Sequence, residues 1–309
     1  MRFYLSTVLT VAAALVSAAP SPIRPRDIST NELSQFNFWV QYAAAAYCQP
    51  NYAGEASSKL SCVVGNCPAV EQAGASIFYS FSNSTPTDTA GYIAIDSTNQ
   101  AIILAFRGSY SVRNWAADVT FTYEDPGLCP GCQAETGFWN SWALVRDHVV
   151  EQLDHAIAQH PGYELVIVGH SLGAAVATLA AADIRGREGG QPSASLYAFA
   201  SPRVANTALA KYITAQNNNY RFTHTNDPVP QLPTLSMGYV HVSPEYWITA
   251  PDNATVRESE VEVLDGAVNW NGNTGTATVP DVPDVAEFDA HHWYFEEVDA
   301  CLGPGIPFK

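Results

Sequence analysis

The segment Leu165-Val166-Ile167-Val168-Gly169-His170-Ser171-Leu172-Gly173-Ala174-Ala175 restricts what this chain can fold into more than any other. Four consecutive apolar residues suit a buried strand, and the small residues after Gly173 begin a tightly packed helix. Between them lies a Gly-x-Ser-x-Gly pattern, which arises by chance in many chains when it stands alone. Placed between strand and helix it describes a nucleophile elbow, where Gly169 and Gly173 permit close packing around a strained Ser171. His170, inside the motif, is expected to be a packed, hydrogen-bonded structural residue.

The flanking pattern agrees with that demand. Thr30 to Tyr47 reads as a helix, with Leu33, Phe36, Trp39, Val40, Ala43 and Ala44 at helical spacing and Ser29 or Thr30 with Glu32 at its start. Strand-like runs follow at Ile77 to Phe81, Gly91 to Asp96 and Ala101 to Phe106, with Asn99 suited to a hairpin turn. Trp139 to His160 carries Trp142, Val145, Val149, Leu153 and Ile157 on one stripe and ends at Pro161-Gly162. Then come a strand at Glu164 to Val168, a helix at Ala174 to Asp183, a strand at Ser195 to Ala200, a helix near Ala208 to Gln216 and a strand at Tyr220 to Thr225. Alternating strand and helix predicts an α/β fold around a mostly parallel sheet, doubly wound, with ligands at the carboxyl ends of its strands. From Asp252 onward the pattern is rich in loops.

A serine hydroxyl is a weak nucleophile at neutral pH and needs a base, which in turn needs an orienting acid. Asp227 follows the strand ending near Thr225 and is backed by Pro228. Asp183 is nearer in sequence but belongs to the helix leaving the elbow, where a solvated or capping role is expected. The candidate bases are His224, His241, His291 and His292. Composition does not choose between the adjacent pair His291 and His292. Neither has a carboxylate or third histidine at helical ligand spacing, so no metal site and no cofactor is expected.

Composition bounds the setting. Met1-Arg2, the apolar run Phe3 to Val16 and the small residues Ser17, Ala18 and Ala19 have the order of a secretory signal, and Pro20 to Arg26 reads as a short pro-segment. Residues 1–26 are thus expected to be removed, leaving 27–309 as one domain, exported and extracellular. The run is short for a bilayer span and no other stretch approaches about 20 apolar residues, so no integral membrane association is expected. The net charge of -16 argues against a nucleic-acid partner. Six cysteines in an exported chain suggest three disulfides. Cys62 with Cys67 and Cys129 with Cys132 close small loops, which leaves Cys48 for Cys301. That long bridge contributes about 4 to 5 kcal/mol in the chain-entropy picture. Asn83-Ser84-Thr85 and Asn253-Ala254-Thr255 are N-glycosylation acceptors.

Phe106-Arg107-Gly108-Ser109, Gly169-His170-Ser171-Leu172-Gly173, His224-Thr225-Asn226-Asp227 and Ala290-His291 occur together in that order. In this the chain resembles the filamentous-fungal class 3 lipases over essentially all of residues 27–309. The segments Tyr110 to Trp115 and Ser236 to Val242 most resemble the mono- and diacylglycerol lipases within that family. The resemblance implies an α/β-hydrolase fold and the base at His291, with His292 where other members carry Leu or Ile. It also implies the same three cysteine bridges and an oxyanion hole made by the backbone N–H groups of Ser109 and Leu172. Ser111, Val112, Trp115, Ala116 and Asp118 would belong to a short helical lid, with Asp118 holding the Ser109 hydroxyl in the open form. The implied activity is hydrolysis of acylglycerol esters at a lipid-water interface by a monomer, with a preference for mono- and diacylglycerols. Alternatives are a general triacylglycerol lipase, a feruloyl esterase on the same fold, and a binding protein with a dead triad. The apolar lid argues against the feruloyl esterase, and intact motifs argue against the last.

Overall fold

Helix formation begins where a reciprocal cap makes it cheapest. In the computed structural model, which describes residues 26–82, 87–110, 121–285 and 288–302, the Ser29 hydroxyl accepts the Glu32 N–H at 3.2 Å. The Glu32 carboxylate takes the Ser29 N–H at 2.8 Å in return. Two orphan donors of a helix start are thereby satisfied. Arg26–Asp27 precede this cap as strand β1, and helix α1 runs Thr30–Ala45 with Phe36, Trp39, Val40, Ala43 and Ala44 buried, the face that the spacing predicts. Leu33 packs at its margin. The cleavage expected after Arg26 falls inside β1.

Two short helices follow, α2 at Gln49–Tyr52 and α3 at Pro68–Ala73, each with proline in its first turn, where the missing N–H costs nothing. Strands β2 (Ser76–Ser82), β3 (Ala90–Asp96) and β4 (Ala101–Phe106) pair antiparallel. A small ribbon of β5 (Tyr123–Glu124) and β6 (Ala134–Glu135) leads into α4 (Thr136–Gln159). Then come β7 (Glu164–His170), α5 (Leu172–Gly186), β8 (Ser195–Phe199), α6 (Thr207–Ala215) and β9 (Asn219–His224). Strands β10 (Glu245–Ile248) and β11 (Val261–Leu264) and the four-residue helix α7 (Asp289–His292) complete the strands and α-helices among the described residues.

The nine-stranded sheet has the order β1-β11-β10-β9-β8-β7-β4-β3-β2. Its centre, from β4 through β7, β8 and β9 to β10, is parallel, and both flanks are antiparallel. This is the α/β-hydrolase arrangement. It lacks the reversal of strand order that a doubly wound sheet requires. The crossovers through α4, α5 and α6 add strands in one direction, and right-handed crossovers of that kind put all three helices on one face. The helix α1, which follows the edge strand β1 and precedes all the others, covers the other.

Packing follows the two-residue period of the strands. Ile102, Leu104, Leu165 and Ile167 pack with Phe138, Trp142, Val149 and Leu153 of α4 and with the alanines of α5. Their neighbours Ile103, Ala105, Val166 and Val168 face Phe36, Trp39 and Val40 of α1. Buried on both sides, these strands read as continuous apolar runs. Strands β10 and β11 went unread because each has only four residues, too few for a period to register. The three disulfides pair as expected: Cys62–Cys67, Cys129–Cys132, and Cys48–Cys301 across 253 positions.

Candidate active site

The turn between β7 and α5 is a strained feature at the carboxyl end of the sheet. Ser171 has φ 57° and ψ −128°, a conformation costly for any residue with a side chain. It is held by its own N–H, which donates to the Phe199 carbonyl of β8 at 2.9 Å, and by α5, whose Ala174 and Ala175 N–H groups donate to the Ser171 carbonyl at 2.9 and 3.2 Å. A Cβ on Gly169 would strike the Gly173 backbone, and one on Gly173 would strike the carbonyls of Phe106 and Arg107. The two glycines therefore let the start of α5 lie directly against the ends of β7 and β4. Gly173→Ala is expected to destabilise the fold by about 3 kcal/mol or more, seen as a melting temperature lower by roughly 6 to 12 °C. An unchanged melting temperature would show that the helix has room to move.

Phe106 pairs with Gly169 across the parallel ladder, so Ser109 and Leu172 leave the sheet three residues beyond matched positions. The Leu172 N–H is the first of α5 and has no acceptor within the helix. The stem before Ser109 is rigid. Arg107 is buried between the rings of Tyr52 and Tyr110, 4.8 and 4.3 Å from their centroids, and its guanidinium meets Asp88 at 2.7 Å.

Asp227 lies just past β9 with no exposed surface. The His291 Nδ1–H donates to its two oxygens at 3.0 and 2.9 Å, the Tyr294 hydroxyl donates at 2.6 Å, and the Val229 N–H donates at 2.9 Å. Burial opposes the charge of this carboxylate. The His291 ring, the Tyr294 hydroxyl and the Val229 N–H outweigh it and hold the carboxyl below the usual range, so it is ionised at neutral pH. Behind it, the Asn273 amide donates to the Asp227 and Thr225 carbonyls, tying the loops after β11 to the end of β9. With Nδ1 committed to Asp227, the neutral His291 ring presents Nε2 as an acceptor. That atom is buried and has no hydrogen-bond partner among the described residues.

The remaining histidines are engaged elsewhere. His170 receives the Tyr47 hydroxyl proton at Nδ1 (2.7 Å) and donates from Nε2 to the His291 carbonyl (2.9 Å). Burial, with the neighbouring His291 ring, pushes it down to about 3, so it stays neutral. Its structural role is the one expected from the motif. His224 faces the carbonyls of Ala290 and Ala250 at 3.0 and 2.8 Å, and His241 faces that of Pro230 at 2.7 Å. His292 turns to Asp299, with Nδ1 2.7 Å from Oδ2. Among the described residues, His291 is the histidine hydrogen-bonded to Asp227. Asp183 receives the Trp142 indole N–H at 2.8 Å and neither caps a helix nor faces a histidine.

Tyr294, Tyr47, Asn273 and Asp299 were not read as functional from the sequence. Their partners are 46 to 123 positions away for the first three, beyond any local spacing signal. The lid residues Ser111, Val112, Trp115, Ala116 and Asp118, the acceptor Asn83 and the signal region lie outside the described residues. Asn253 is exposed in a turn with φ 60°. The sulfurs of Cys48, Cys62 and Cys301 cluster within 4.8 Å, and all three belong to disulfides. Among the described residues no helix is long and apolar enough to cross a membrane.

Comparison with known proteins agrees with this geometry. The family model for lipase (class 3) matches residues 103–237, and that for the lipase 3 N-terminal region matches residues 4–79. The chain is 63% identical over 309 residues to the secreted mono- and diacylglycerol lipase A of Penicillium cyclopium, covering 100% of this chain and 99% of that one. The solved mono- and diacylglycerol lipase of Aspergillus oryzae superposes with a TM-score of 0.84 at 58% identity, over 88% of this chain and 100% of the other. A triacylglycerol lipase described as having a serine protease triad at its catalytic centre superposes with a TM-score of 0.76 at 29% identity, over 89% and 99%.

Proposed function

The chain belongs to the class 3 lipase family, and we propose that it is a secreted acylglycerol lipase working through an acyl-enzyme on Ser171. The observation that carries this reading is the strained Ser171 at the end of β7 together with the buried His291–Asp227 pair, whose Nε2 is uncommitted. Ser171 Oγ attacks the ester carbonyl while His291 Nε2 takes its proton, and Asp227 stabilises the imidazolium that forms. The N–H groups of Ser109 and Leu172 receive the charge on the carbonyl oxygen, a donor of this kind contributing about 3 kcal/mol to the transition state. His291 then returns the proton to the departing glyceride alcohol. A water activated by the same nitrogen frees the fatty acid and restores Ser171. No cofactor enters these steps.

A glyceride surface suits a set of exposed apolar side chains as well. Val279, Val282 and Met237 are exposed, and Asp281 holds their two loops together by accepting the Leu235 and Ser236 N–H groups at 2.6 and 2.7 Å. The segment from Ser111 to Asp118 acts as the lid in this reading. The enzyme is exported as residues 27–309, one domain and a monomer, after loss of residues 1–26, and Asn83 and Asn253 accept glycans. Similarity to named mono- and diacylglycerol lipases supports partial glycerides as the substrate class. With emulsions of one medium chain length and Ser171→Ala as the blank, mono- and diacylglycerols are expected to be hydrolysed at least about tenfold faster than the triacylglycerol, a difference of about 1.4 kcal/mol in the barrier. Comparable rates on all three would make this a general triacylglycerol lipase.

A further inference from the structure

Next to the His291–Asp227 pair stands a second histidine and carboxylate. His292 Nδ1 lies 2.7 Å from Asp299 Oδ2, and the side chain of Asp299 is only 8% exposed. The chain between them folds back tightly, with the Val298 N–H donating to the His292 carbonyl at 3.0 Å and the Tyr294 N–H to that of Glu296 at 2.9 Å. Two residues past Asp299, Cys301 is bonded to Cys48, whose neighbour Tyr47 holds His170. His170 in turn holds the His291 carbonyl. The second pair thus closes a loop of contacts around the residue read as the base.

We propose that His292 and Asp299 are positioning residues for the reaction: their ion pair clamps the turn that carries His291, and the balance of their two charges sets the field in which His291 accepts the Ser171 proton. The proposal rests on His291 being the base.

Charges around the pair are one-sided. His292 faces Asp299, Asp227 and Asp289, with Asp252 and Glu297 lining the same surface recess, and its ring centroid is 6.2 Å from that of His291. Asp299 faces His292, His170, His291 and the Tyr47 hydroxyl. Burial works against the proton on His292, and the Asp299 carboxylate overcomes it, so the ring holds its proton more tightly than a free imidazole. Burial likewise opposes the charge on Asp299, and the His292 hydrogen bond and charge overcome it, lowering that carboxyl. A raised histidine contributes stability fully present below about pH 6.5 and lost as pH rises through its folded value. A lowered aspartate contributes stability present above about pH 3.9 and lost as pH falls through its folded value. The clamp is therefore complete in mildly acidic solution, where the base of a serine hydrolase loses its proton and gains activity.

Removing the His292 cation leaves the Asp299 carboxylate to act on His291. With His292→Gln, Asp299 is uncompensated and favours the imidazolium. With Asp299→Asn, the carboxylate that keeps His292 protonated against burial is gone, that ring is left neutral, and no net charge is added beside His291. The test is the pH profile of kcat/KM on a soluble short-chain ester, whose acidic limb reports protonation of the base. The limb is expected to move up by about half a pH unit or more in His292→Gln and to stay near the parent position in Asp299→Asn, where both charges of the pair are lost together. It is expected to lie near the parent position in the double variant. His292→Lys, which keeps a cation opposite Asp299, is expected to retain the parent limb, so the comparison survives if Asp299→Asn does not fold. A His292→Gln limb that coincides with the parent, or an equal upward shift in both single variants, would overturn the proposal, since loss of a merely structural clamp lowers rate without regard to which charge is left behind. His291→Ala separates the two readings: hydrolysis surviving that change would sink the triad itself.

Discussion

Ser171→Ala is expected to lower kcat on an emulsified monoacylglycerol by about five to six orders of magnitude. Without Oγ the ester carbonyl has no nucleophile within the site, and only binding and the oxyanion donors remain to assist a stray water. The fold has no reason to suffer. Alanine and serine pay the same backbone cost at φ 57°, and the contacts that hold the turn, from the Ser171 N–H to Phe199 and from α5 to the Ser171 carbonyl, are made by backbone atoms. The melting temperature should stay within about 2 °C, as for substitutions that make no cavity and orphan no buried polar group. Measured together, rate and melting temperature separate lost chemistry from lost structure. More than about one part in a thousand of the parent rate would require a second nucleophile, because a residue of this role leaves less than that.

Asp227→Asn carries the next largest effect, a fall in kcat of about four orders of magnitude with the substrate still bound. An amide can replace the carboxylate in shape but not in its pattern of donors and acceptors. The NH2 group of asparagine would face either the Tyr294 hydroxyl or His291 Nδ1. Facing the ring, it turns Nδ1 into an acceptor, moves the imidazole proton to Nε2 and removes the lone pair that takes the serine proton. Stability gives a second signature. Because the fold lowers the Asp227 carboxyl, its contribution is present above about pH 4 and lost as pH falls through the folded value. The variant should lack that part of the acid-side slope. Melting curves from pH 7 to pH 3 check it, and equal slopes in parent and variant would place the ionised carboxylate in doubt.

Local chemistry made part of this site legible before any coordinates. The apolar run into Gly169, the alanines after Gly173 and the strand leading to Asp227 are each a short-range pattern with one good structural solution, and the cysteine pairing followed from spacing in an exported chain. The two adjacent histidines were different. His291 and His292 have the same composition and nearly the same neighbours, and the sequence alone left both open until resemblance favoured the first. In the fold they are consecutive residues of a four-residue helix, about 100° apart around its axis, so one turns to Asp227 and the other to Asp299. No periodicity within so short an element reveals that divergence. Tyr294, Tyr47 and Asn273 were hidden for another reason. Each serves the site through a partner on a distant segment, and a tyrosine or asparagine with such a duty has the same local signature as one packed in a core. The single direction of strand addition was equally beyond reach, since alternating strands and helices fix the layers but not the order in which the strands lie.

Acylation of Ser171 is the step from which every other role in the site follows. A phosphonate ester inhibitor of serine hydrolases, added at increasing molar ratio to the mature enzyme, allows label and hydrolysis to be followed in one sample. One label per chain on the peptide that contains Ser171, with monoacylglycerol hydrolysis falling in proportion and no label on Ser171→Ala, is the expected result. Hydrolysis that persists after complete labelling, or a label on any other residue accompanied by loss of activity, would contradict it.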